Sequence, residues 1–360
     1  MTRNPHIFNV LGLMSGTSLD GLDVAHCSFE KSGSNQYSFR INNAKTYDYS
    51  DDLKNRLKEA SKLNALEFSL INNELGKLFG DKCKEFIEEN KLKVDLISSH
   101  GHTIFHQPEN GITIQIGNGA VISSITSLPV ASDFRSQDVA LGGQGAPLVP
   151  IGDKLLFSEY DACLNLGGIA NISFDHQSKR VAYDICFFNI VFNFLSKHFD
   201  KEFDESGNIA ASGNVVKELL DELNNWSYYK QAFPKSLGIE SFESEINPLI
   251  NQYINKYTIN DIMSTFSEHF ANKIAEVLND YKLKNVLITG GGTYNSHFLR
   301  VLKSKTGTTI VIPDSKTINF KEALVFAFLG YLRYHEEINI LSSVTGAKKD
   351  HCGGLLYQAG

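Results

Sequence analysis

The sequence predicts an α/β protein built from two domains. Segments with the pattern of strands alternate with segments with the pattern of helices, an order typical of α/β architecture. A strand, a glycine-containing turn and a second strand occur at residues 7–29 and again at residues 160–175. This repetition indicates a duplicated plan with a ligand between the halves. The length of 360 residues agrees with two domains, since one domain usually has roughly 100–200 residues.

The N-terminal part alternates between the two kinds of element. After the unit at residues 7–29, apolar residues recur at helical spacing over residues 51–90. Residues 94–101 have the pattern of an apolar strand that ends in a polar loop with a glycine, and residues 111–119 alternate like a further strand. Residues 127–150 contain the glycines, prolines and polar side chains of a loop.

The C-terminal part continues the alternation. The stretch "RVAYDICFFNIVFNFLSKHF" runs from a strand into a helix, and residues 258–281 form a long amphipathic helix. The stretch "KNVLITGGGTYNSHFLRVLKSKT" has the pattern of a buried strand, a glycine loop and a helix, and "TTIVIP" that of a strand. The segment "NFKEALVFAFLGYLRY" is apolar on nearly all sides, which predicts a buried helix.

Composition excludes several classes of protein. The net charge is −7 and no Lys/Arg-dense run occurs, which argues against a nucleic-acid-binding protein. Five cysteines without a C-x-x-C pair predict neither a disulfide framework nor a zinc site. No secretory leader pattern and no membrane-spanning apolar run is seen. We therefore expect a cytoplasmic protein with reduced thiols that acts on small molecules and not at a membrane.

Four glycine-rich segments predict a nucleotide site: "SGTSLDG", "LGGQGAP", "NLGGIANI" and "TGGGTYN". Glycine lets a backbone approach a ligand closely, and successive N–H groups in such turns bind anions. Any one of these segments alone is better explained by a tight hairpin turn, but four in one chain favour phosphate binding. The sequence has neither the P-loop spacing nor the dinucleotide G-x-G-x-x-G spacing, so the predicted loops are of the strand–turn–strand type.

Three carboxylates near these loops are candidates for chemistry. Asp20 and Asp23 follow the first turn, and a carboxylate beside a phosphate requires a cation between them, for which Mg²⁺ is the usual choice. For Asp20 the alternative is ordinary Asp-Gly turn chemistry. Asp133, in "ASDFRSQD", is a candidate general base. Its alternative role is an ion pair with Arg135 that stiffens the loop.

Histidines and one glutamate are candidates for ligand contacts. His100, His102 and His106 lie in "SSHGHTIFHQP", whose spacing matches no strong zinc signature. Polar contacts of His100 and His102 to a sugar are the better interpretation, and His106 is assigned to local structure. Glu322 is expected in the first turn of a buried helix, either for helix-terminus electrostatics or to hold a ligand hydroxyl.

Taken together, these segments resemble the anhydro-N-acetylmuramic acid kinase family over nearly the whole chain. The resemblance rests on "GLMSGTSLDGLDVA", "SSHGHTIFHQP", "SDFRSQDVALGGQGAPLVP", "CLNLGGIANIS", "PKSLGIESF", "ITGGGTYN", "FKEALVFAFLGYL" and "SVTGAKKD", in that order. It implies a two-lobed, actin-like (ribonuclease H-like) sugar-kinase fold that closes on ATP and substrate. One lobe would comprise residues 1–127 and 340–360, and the other residues 128–339.

The resemblance also implies roles for individual residues. The first phosphate hairpin would comprise Ser15, Gly16, Thr17, Ser18, Leu19, Asp20, Gly21 and Asp23, and the second would contain Gly167, Gly168 and Asn171. Gly290, Gly291, Gly292 and Asn295 would border the adenosine. The sugar would contact His100, His102, Thr103, Arg135, Asn189 and Glu322, and Mg²⁺ would be bound by Asp20 and Asp184.

The implied reaction couples ring opening to phosphorylation. Asp133 would activate water for attack on the anomeric carbon of 1,6-anhydro-N-acetylmuramic acid, and the released O6 would take the γ-phosphoryl group of ATP. The product would be N-acetylmuramate 6-phosphate, formed in cell-wall recycling. Relatives in the family suggest a homodimer.

Three departures from the family pattern concern the sugar. "YDICFFN" replaces a "DTGPGN"-like segment, "HGHT" replaces "HGQT", and "PKSLGIE" replaces "PKSTGRE". Phe187 and Phe188 would either reshape the sugar pocket or fill a core. Two alternatives therefore stay open from the sequence: a kinase of another sugar, and a non-catalytic relative that binds a nucleotide or a sugar. The intact first hairpin and Asp133 argue against the second.

Overall fold

The computed structural model describes residues 7–16, 19–33 and 35–359, and these form two compact units. Unit 1 comprises the described residues up to Leu156 and those from Phe320 onward, and unit 2 comprises Phe157–Asn319. The boundaries between these units, at residues 156/157 and 319/320, differ from the lobe boundaries expected after residues 127 and 339. The difference arises because a strand after residue 128 pairs within the sheet of unit 1, and because the helix after Phe320 packs on that sheet.

Strands in chain order are β1 to β6 and β12 in unit 1 and β7 to β11 in unit 2. Those of unit 1 are β1 (Phe8–Ser15), β2 (Gly21–Lys31), β3 (Tyr37–Asp48), β4 (Leu96–Gln107), β5 (Ile112–Ile116), β6 (Val130–Ser132) and β12 (Leu355–Tyr357). Those of unit 2 are β7 (Ala162–Leu166), β8 (Ile169–His176), β9 (Lys179–Phe187), β10 (Asn285–Thr289) and β11 (Thr309–Val311).

Helices connect and cover these strands. The N-terminal part of unit 1 contains α1 (Asp51–Glu59), α2 (Ala65–Asn90), α3 (Gly119–Thr126), α4 (Ser136–Ala140) and α5 (Val149–Leu156). Unit 2 contains α6 (Asn189–Ser196), α7 (Asn208–Ala211), α8 (Lys217–Asn224), α9 (Ile239–Ser241), α10 (Asn247–Ile254), α11 (Ile259–Asp280) and α12 (Ser296–Lys303). The last two are α13 (Ser315–Tyr334), which crosses the boundary at Phe320, and α14 (Ser342–Thr345).

The sheet of unit 1 has the strand order β12-β6-β4-β1-β2-β3, with β5 on β4. β1 and β2 form an antiparallel hairpin, and β4 runs parallel to both β1 and β6. The carboxyl ends of β1, β4 and β6 therefore meet at one edge, where ligands bind in many α/β proteins. α13 is buried on all sides over residues 323–332, as the sequence predicts.

Gly12 allows α13 to approach this sheet. A Cβ atom at Gly12 would overlap the carbonyl oxygen of Ala323, the residue after Glu322. A residue without a side chain is therefore required where the helix crosses β1.

Unit 2 has the sheet order β11-β10-β7-β8-β9. β7, β10 and β11 are parallel, whereas β7-β8-β9 form an antiparallel meander. α11 begins at its N-cap Thr258, whose hydroxyl accepts the N–H of Asp261, and it ends close to the residue predicted from the sequence. The predicted α/β class, with one sheet in each lobe, is confirmed. No helix in the described ranges has the length and apolar character needed to cross a membrane.

Candidate functional site

The first predicted phosphate hairpin is the β1–β2 connection. The carbonyl of Gly16 accepts the N–H of Leu19 at 3.2 Å, and Leu19 has a φ of 62°. The side chain of Leu19 packs in the core of unit 1, so only its backbone can face a ligand. Asp20 is exposed, and a Cβ at Gly21 would overlap the carbonyl of Tyr47. Thr17 and Ser18 lie outside the described residues.

A buried hydrogen-bond chain fixes the start of this hairpin. The hydroxyl of Tyr49 donates to Ser15 Oγ at 2.7 Å, and Ser15 Oγ lies 3.0 Å from His102 Nδ1. Burial lowers the pKa of His102, so its ring is neutral and can accept the serine proton. His102, predicted to contact the sugar, is 3% exposed. It therefore holds the start of the hairpin, a role that depends on the register between β1 and β4. A contact of His102 with the sugar stays a prediction.

Asp133 follows β6 directly, with a φ of 53°. Its Oδ1 accepts the N–H of Ser136 at 3.3 Å. The residue is half-buried and, together with His100, Gln115 and Asn118, lines a cavity of about 260 Å³. The predicted base thus faces a polar space that can hold a small molecule.

Arg135 forms hydrogen bonds with His100. This contact takes the place of the ion pair with Asp133 that was the alternative suggested by the sequence. Its Nε and Nη2 donate to His100 Nε2 at 3.2 and 2.9 Å, and its Nη1 donates to the carbonyl of Gly145 at 2.6 Å. His100 Nδ1 is 2.9 Å from the carbonyl oxygen of Gly101, to which it donates. These partners assign the neutral Nδ1–H tautomer. Burial, with the charge of Arg135, lowers the pKa of His100 to about 3.

Carboxylates of unit 1 approach this cation. Desolvation lowers the pKa of Arg135 to about 10, while Glu322 and Asp138 oppose the shift. Desolvation of the carboxyl group also raises the pKa of Glu322, although part of this residue is exposed to solvent. The charge of Asp23 adds to that rise. Burial raises the pKa of Asp23 although Thr46 donates to it at 2.6 Å. The predicted sugar-contacting residues Arg135, His100 and Glu322 are therefore electrostatically linked within unit 1.

Glu322 and Thr103 are two further residues predicted to contact the sugar. The backbone of α13 is non-helical at Phe320, whose φ and ψ are −119° and 17°, so Glu322 lies in the first turn after this break, as the sequence predicts. Thr103 lies on β4 with Gln115 Nε2 at 3.4 Å from its hydroxyl. Helix-terminus electrostatics at the break in α13 and a ligand contact therefore both stay predictions for Glu322, as does a ligand contact for Thr103.

In unit 2 the second predicted hairpin is the β7–β8 connection. The carbonyl of Gly167 accepts the N–H of Asn189, and that of Gly168 accepts the N–H of Phe188 at 2.9 Å. The side-chain amide of Asn189 donates to the carbonyl of Leu166 at 3.2 Å. The start of α6 is thus joined to this hairpin. The amide of Asn171, predicted to bind the nucleotide, is directed towards the carbonyl of Ile169 at 3.5 Å.

The glycine loop after β10, residues 290–292, lies on the same hairpin. Gly290 has a φ of 87°, and a Cβ there would lie 2.7 Å from the carbonyl oxygen of Leu166. A Cβ at Gly292 would overlap the ring of Phe188, while Gly291 is exposed. The structure therefore brings together Gly167, Gly168, Asn189, Gly290, Gly291 and Gly292, as expected for loops around one ligand.

Asn295 has a structural partner of its own. Its Oδ1 accepts the N–H of Phe298 at 2.9 Å as the N-cap of α12, and its side chain is buried. An adenosine contact of Asn295 stays a prediction.

The replaced segment "YDICFFN" fills a core. Phe187 and Phe188 are at most 2% exposed, and Phe188 packs on the rings of Phe192, Phe270 and Phe298. Of the two alternatives left open from the sequence, the structure supports core packing for these aromatic residues. Of the two, Phe188 also lies against the glycine loop, at Gly292.

Asp184 lies on β9 beside Asn171 of β8. Its Oδ2 accepts the N–H of Leu237 at 2.8 Å, and its carbonyl accepts the hydroxyl of Tyr228 at 2.6 Å. Burial raises the pKa of Asp184 to about 6, with the Leu237 N–H opposing the shift. A carboxylate whose pKa is raised in this way is a candidate general base. Sequence reasoning assigned it only to a metal, because no pattern reports desolvation.

The predicted magnesium ligands Asp20 and Asp184 belong to units 1 and 2, respectively. Among the residues that the structure describes, no group of three or more His, Cys, Asp or Glu could hold a metal ion. Mg²⁺ usually binds through one or two carboxylates plus substrate phosphates and waters. Magnesium binding by Asp20 and by Asp184 therefore stays a prediction.

Comparison with known proteins gives a consistent result. The family model described as "Anhydro-N-acetylmuramic acid kinase" matches residues 8–359. A protein of that name from Sulfurimonas denitrificans is 32% identical, covering 97% of this chain and 99% of its own. One from Bacillus cereus is 35% identical, with 94% and 96% covered. The resemblance inferred from the sequence is confirmed.

Among solved structures, the activator of the 2-hydroxyisocaproyl-CoA dehydratase from Clostridium difficile, with bound ADPNP, covers 91% of this chain and 96% of its own at 14% identity and a TM-score of 0.43.

Proposed function

Because the chain belongs to the anhydro-N-acetylmuramic acid kinase family, we propose that it opens the 1,6-anhydro ring of anhydro-N-acetylmuramic acid and phosphorylates O6 at the expense of ATP. The proposal rests on the close approach of three parts of unit 2: the hairpin glycines Gly167 and Gly168, the side chain of Asn189, and the loop at residues 290–292. Closely approaching backbone of this kind is suited to the phosphates of a nucleotide.

The chemistry balances with one base and one water. The base takes a proton from water, and the water oxygen forms a bond to C1 of the sugar. The C1–O6 bond breaks and O6 keeps its electron pair, which then forms the bond to the γ-phosphorus. ADP leaves with the electrons of the broken P–O bond, and N-acetylmuramate 6-phosphate remains. Bound Mg²⁺ would offset phosphate charge. In this proposal Asp20 is its protein ligand, and Asp184, also predicted to bind it, is considered below as a base instead.

Arg135 and His100 are proposed to bind and orient the sugar. The neutral His100 ring accepts from Arg135, so the guanidinium keeps a fixed direction. A fixed cation suits the lactyl carboxylate of the substrate, which requires a donor partner. Glu322 accepts a sugar hydroxyl in this proposal, and its electrostatic link to Arg135 supports the same location.

Two carboxylates compete for the role of base. Asp133 is supported by its place at the end of β6, beside His100 in a polar cavity. Asp184 is supported by its half-buried position and by a pKa raised to about 6, close to working pH. We favour Asp184 on this ground, with Asp133 then positioning the sugar.

Turnover in H₂¹⁸O tests the reaction and the base. The label should enter the hydroxyl at C1 of the phosphorylated product, and unlabelled product contradicts coupled ring opening. Asp184→Asn and Asp133→Asn are compared at saturating substrate. Loss of the base should lower kcat by about 10²–10⁴-fold with nucleotide binding kept, whereas a positioning role raises sugar KM more than it lowers kcat. If Asp184→Asn leaves kcat near the wild-type value, Asp184 is not the base.

A cytoplasmic location and a homodimer are part of the same proposal. The five cysteines are free thiols, as expected in a reducing compartment, and the family resemblance is what supports the dimer. Sedimentation analysis of the purified chain distinguishes a monomer from a dimer.

A further inference from the structure

The loop "LGGQGAP" and the C-terminal segment "SVTGAKKD" carry the resemblance to the family without a role in the reaction above. Both converge in unit 1 on one side chain, Asp138 of α4, which is 0% exposed. We propose that Asp138 is a positioning residue that fixes Arg135, and through it His100, for the sugar. This inference rests on the proposed function, because it takes Arg135 and His100 as the sugar-orienting pair.

Asp138 joins the two segments through its separate oxygens. Oδ1 accepts the hydroxyl of Thr345 at 2.7 Å, and Oδ2 accepts the N–H of Gly145 at 2.7 Å. The Nε2 atom of His351 lies 3.7 Å from Oδ1. A buried carboxylate is tolerated only where such donors offset the loss of water. Asp138 therefore requires both segments in place.

Gly145 transmits the position of Asp138 to Arg135. The N–H of Gly145 is held by Asp138, while its carbonyl accepts Arg135 Nη1 at 2.6 Å. With a φ of 69°, Gly145 adopts a conformation that favours glycine. The N–H and the carbonyl of Gly145 flank the same Cα atom, so the bond to Asp138 restrains the residue whose carbonyl orients the guanidinium. Arg135 then donates to His100 Nε2 at 2.9 Å.

The C-terminal segment holds this loop from its other side. The N–H of Gln144 donates to the carbonyl of Thr345 at 2.8 Å, and the N–H of Lys348 donates to the carbonyl of Leu141 at 3.2 Å. A Cβ at Gly143 would overlap the Asp138 carboxylate. The loop is therefore restrained on two sides, and the carbonyl of Gly145 in this loop accepts Arg135 Nη1.

The alternative is that Asp138 acts only through its charge on Arg135. Asp138→Leu removes the acceptor of the Gly145 N–H, whereas Asp138→Asn keeps an oxygen for Gly145 and can donate its amide to the Thr345 hydroxyl. If Asp138 acts by positioning, the Asp138→Asn variant should keep the sugar KM of the wild type, which the Asp138→Leu variant should lose. A purely electrostatic role predicts that both variants fail equally.

Sugar KM, ATP KM and the ring ¹⁵N signals of His100 are the readouts. Asp138→Leu should raise sugar KM about tenfold, as expected for loss of one well-placed hydrogen bond, leave ATP KM unchanged and shift the His100 signals away from the Nδ1–H tautomer. Asp138→Asn should stay near the wild type in all three. Asp95→Asn is the control, because Asp95 accepts the N–H of Asn9 at the opposite end of β1.

Thr345 supplies a second pair of variants if Asp138→Leu does not fold. Thr345→Val removes one donor to Asp138 and should raise sugar KM by a smaller factor in the same direction, and Thr345→Ser should restore it. Unchanged sugar KM and His100 signals in folded Asp138→Leu or Thr345→Val overturn the inference, as does an Asp138→Asn variant as impaired as Leu. If the wild-type protein phosphorylates no anhydro sugar, the proposed function fails, whereas the His100 signals still decide the role of Asp138.

Discussion

The ring of Phe188 lies against Gly292 so closely that no side chain can be added at residue 292. Phe188 belongs to the segment in which this chain departs from the family pattern, and Gly292 belongs to the loop predicted to border the nucleotide. The unusual aromatic residue therefore supports the glycine loop from the core.

Gly292→Ala should weaken nucleotide binding. The new methyl group would overlap the Phe188 ring and lie 2.6 Å from Leu166 Cβ, so the loop must move. Overpacking of this kind costs about 1–3 kcal/mol, seen as a lower urea midpoint together with a raised ATP Kd. Gly307→Ala is the control, because no atom lies within 4 Å of a Cβ there. Equal ATP affinity in both variants would contradict the packing argument.

Tyr49→Phe should loosen the first phosphate hairpin. The change removes the hydroxyl that donates to Ser15 Oγ at 2.7 Å in a buried site. Loss of one such bond costs about 1 kcal/mol, and we expect ATP KM to rise several-fold while sugar KM stays unchanged. Tyr37→Phe is the matched control, since its hydroxyl donates to Glu337 elsewhere in unit 1. The same ATP KM in both variants would show that Ser15 does not need Tyr49.

Two buried histidines should make the fold less stable in acid. Burial lowers the pKa of both His100 and His269 to about 3. Because these folded-state values lie below the unfolded value of about 6.5, their stabilising contribution is complete above pH 6.5 and is lost as pH falls towards 3. Each histidine then costs about 1.4 kcal/mol per pH unit.

Glutamine in place of His269 tests this dependence. The ring accepts the Tyr229 hydroxyl at 2.7 Å and donates to Asn224 at 2.9 Å, and an amide can make similar contacts without titrating. Urea unfolding at pH 7 and pH 5 should show a smaller loss of stability for His269→Gln than for the wild type. His198→Gln, at an exposed site, should behave like the wild type. An identical pH dependence in both variants would refute the assignment.

The buried ion pair between Lys321 and Asp153 should stabilise unit 1 only as a pair. The atoms lie 2.7 Å apart, with side chains 8% and 6% exposed. Asp153→Leu alone should cost about 3–5 kcal/mol because it leaves a buried ammonium. Lys321→Met together with Asp153→Leu should recover most of that loss. Breaking the exposed Lys217–Asp221 pair is the control, expected to cost below about 1 kcal/mol.

A good part of the fold could be read from local patterns. The helix at residues 258–281, the buried helix at residues 323–332 and both glycine hairpins follow from spacing, because periodicity and turn chemistry act between neighbours in sequence. The domain boundaries did not follow. They depend on which sheet the short strand β6 joins, and three residues carry too little pattern to decide this.

By itself, the sequence determined the α/β class, the glycine loops and the family, since these depend on residue types at fixed separations. Only the tertiary structure decided that His102 holds Ser15, that Arg135 pairs with His100, and that burial raises the pKa of Asp184. The partners are 87 and 35 residues apart in the two pairs. Contacts at such distances and the removal of water arise from packing, which no local pattern encodes.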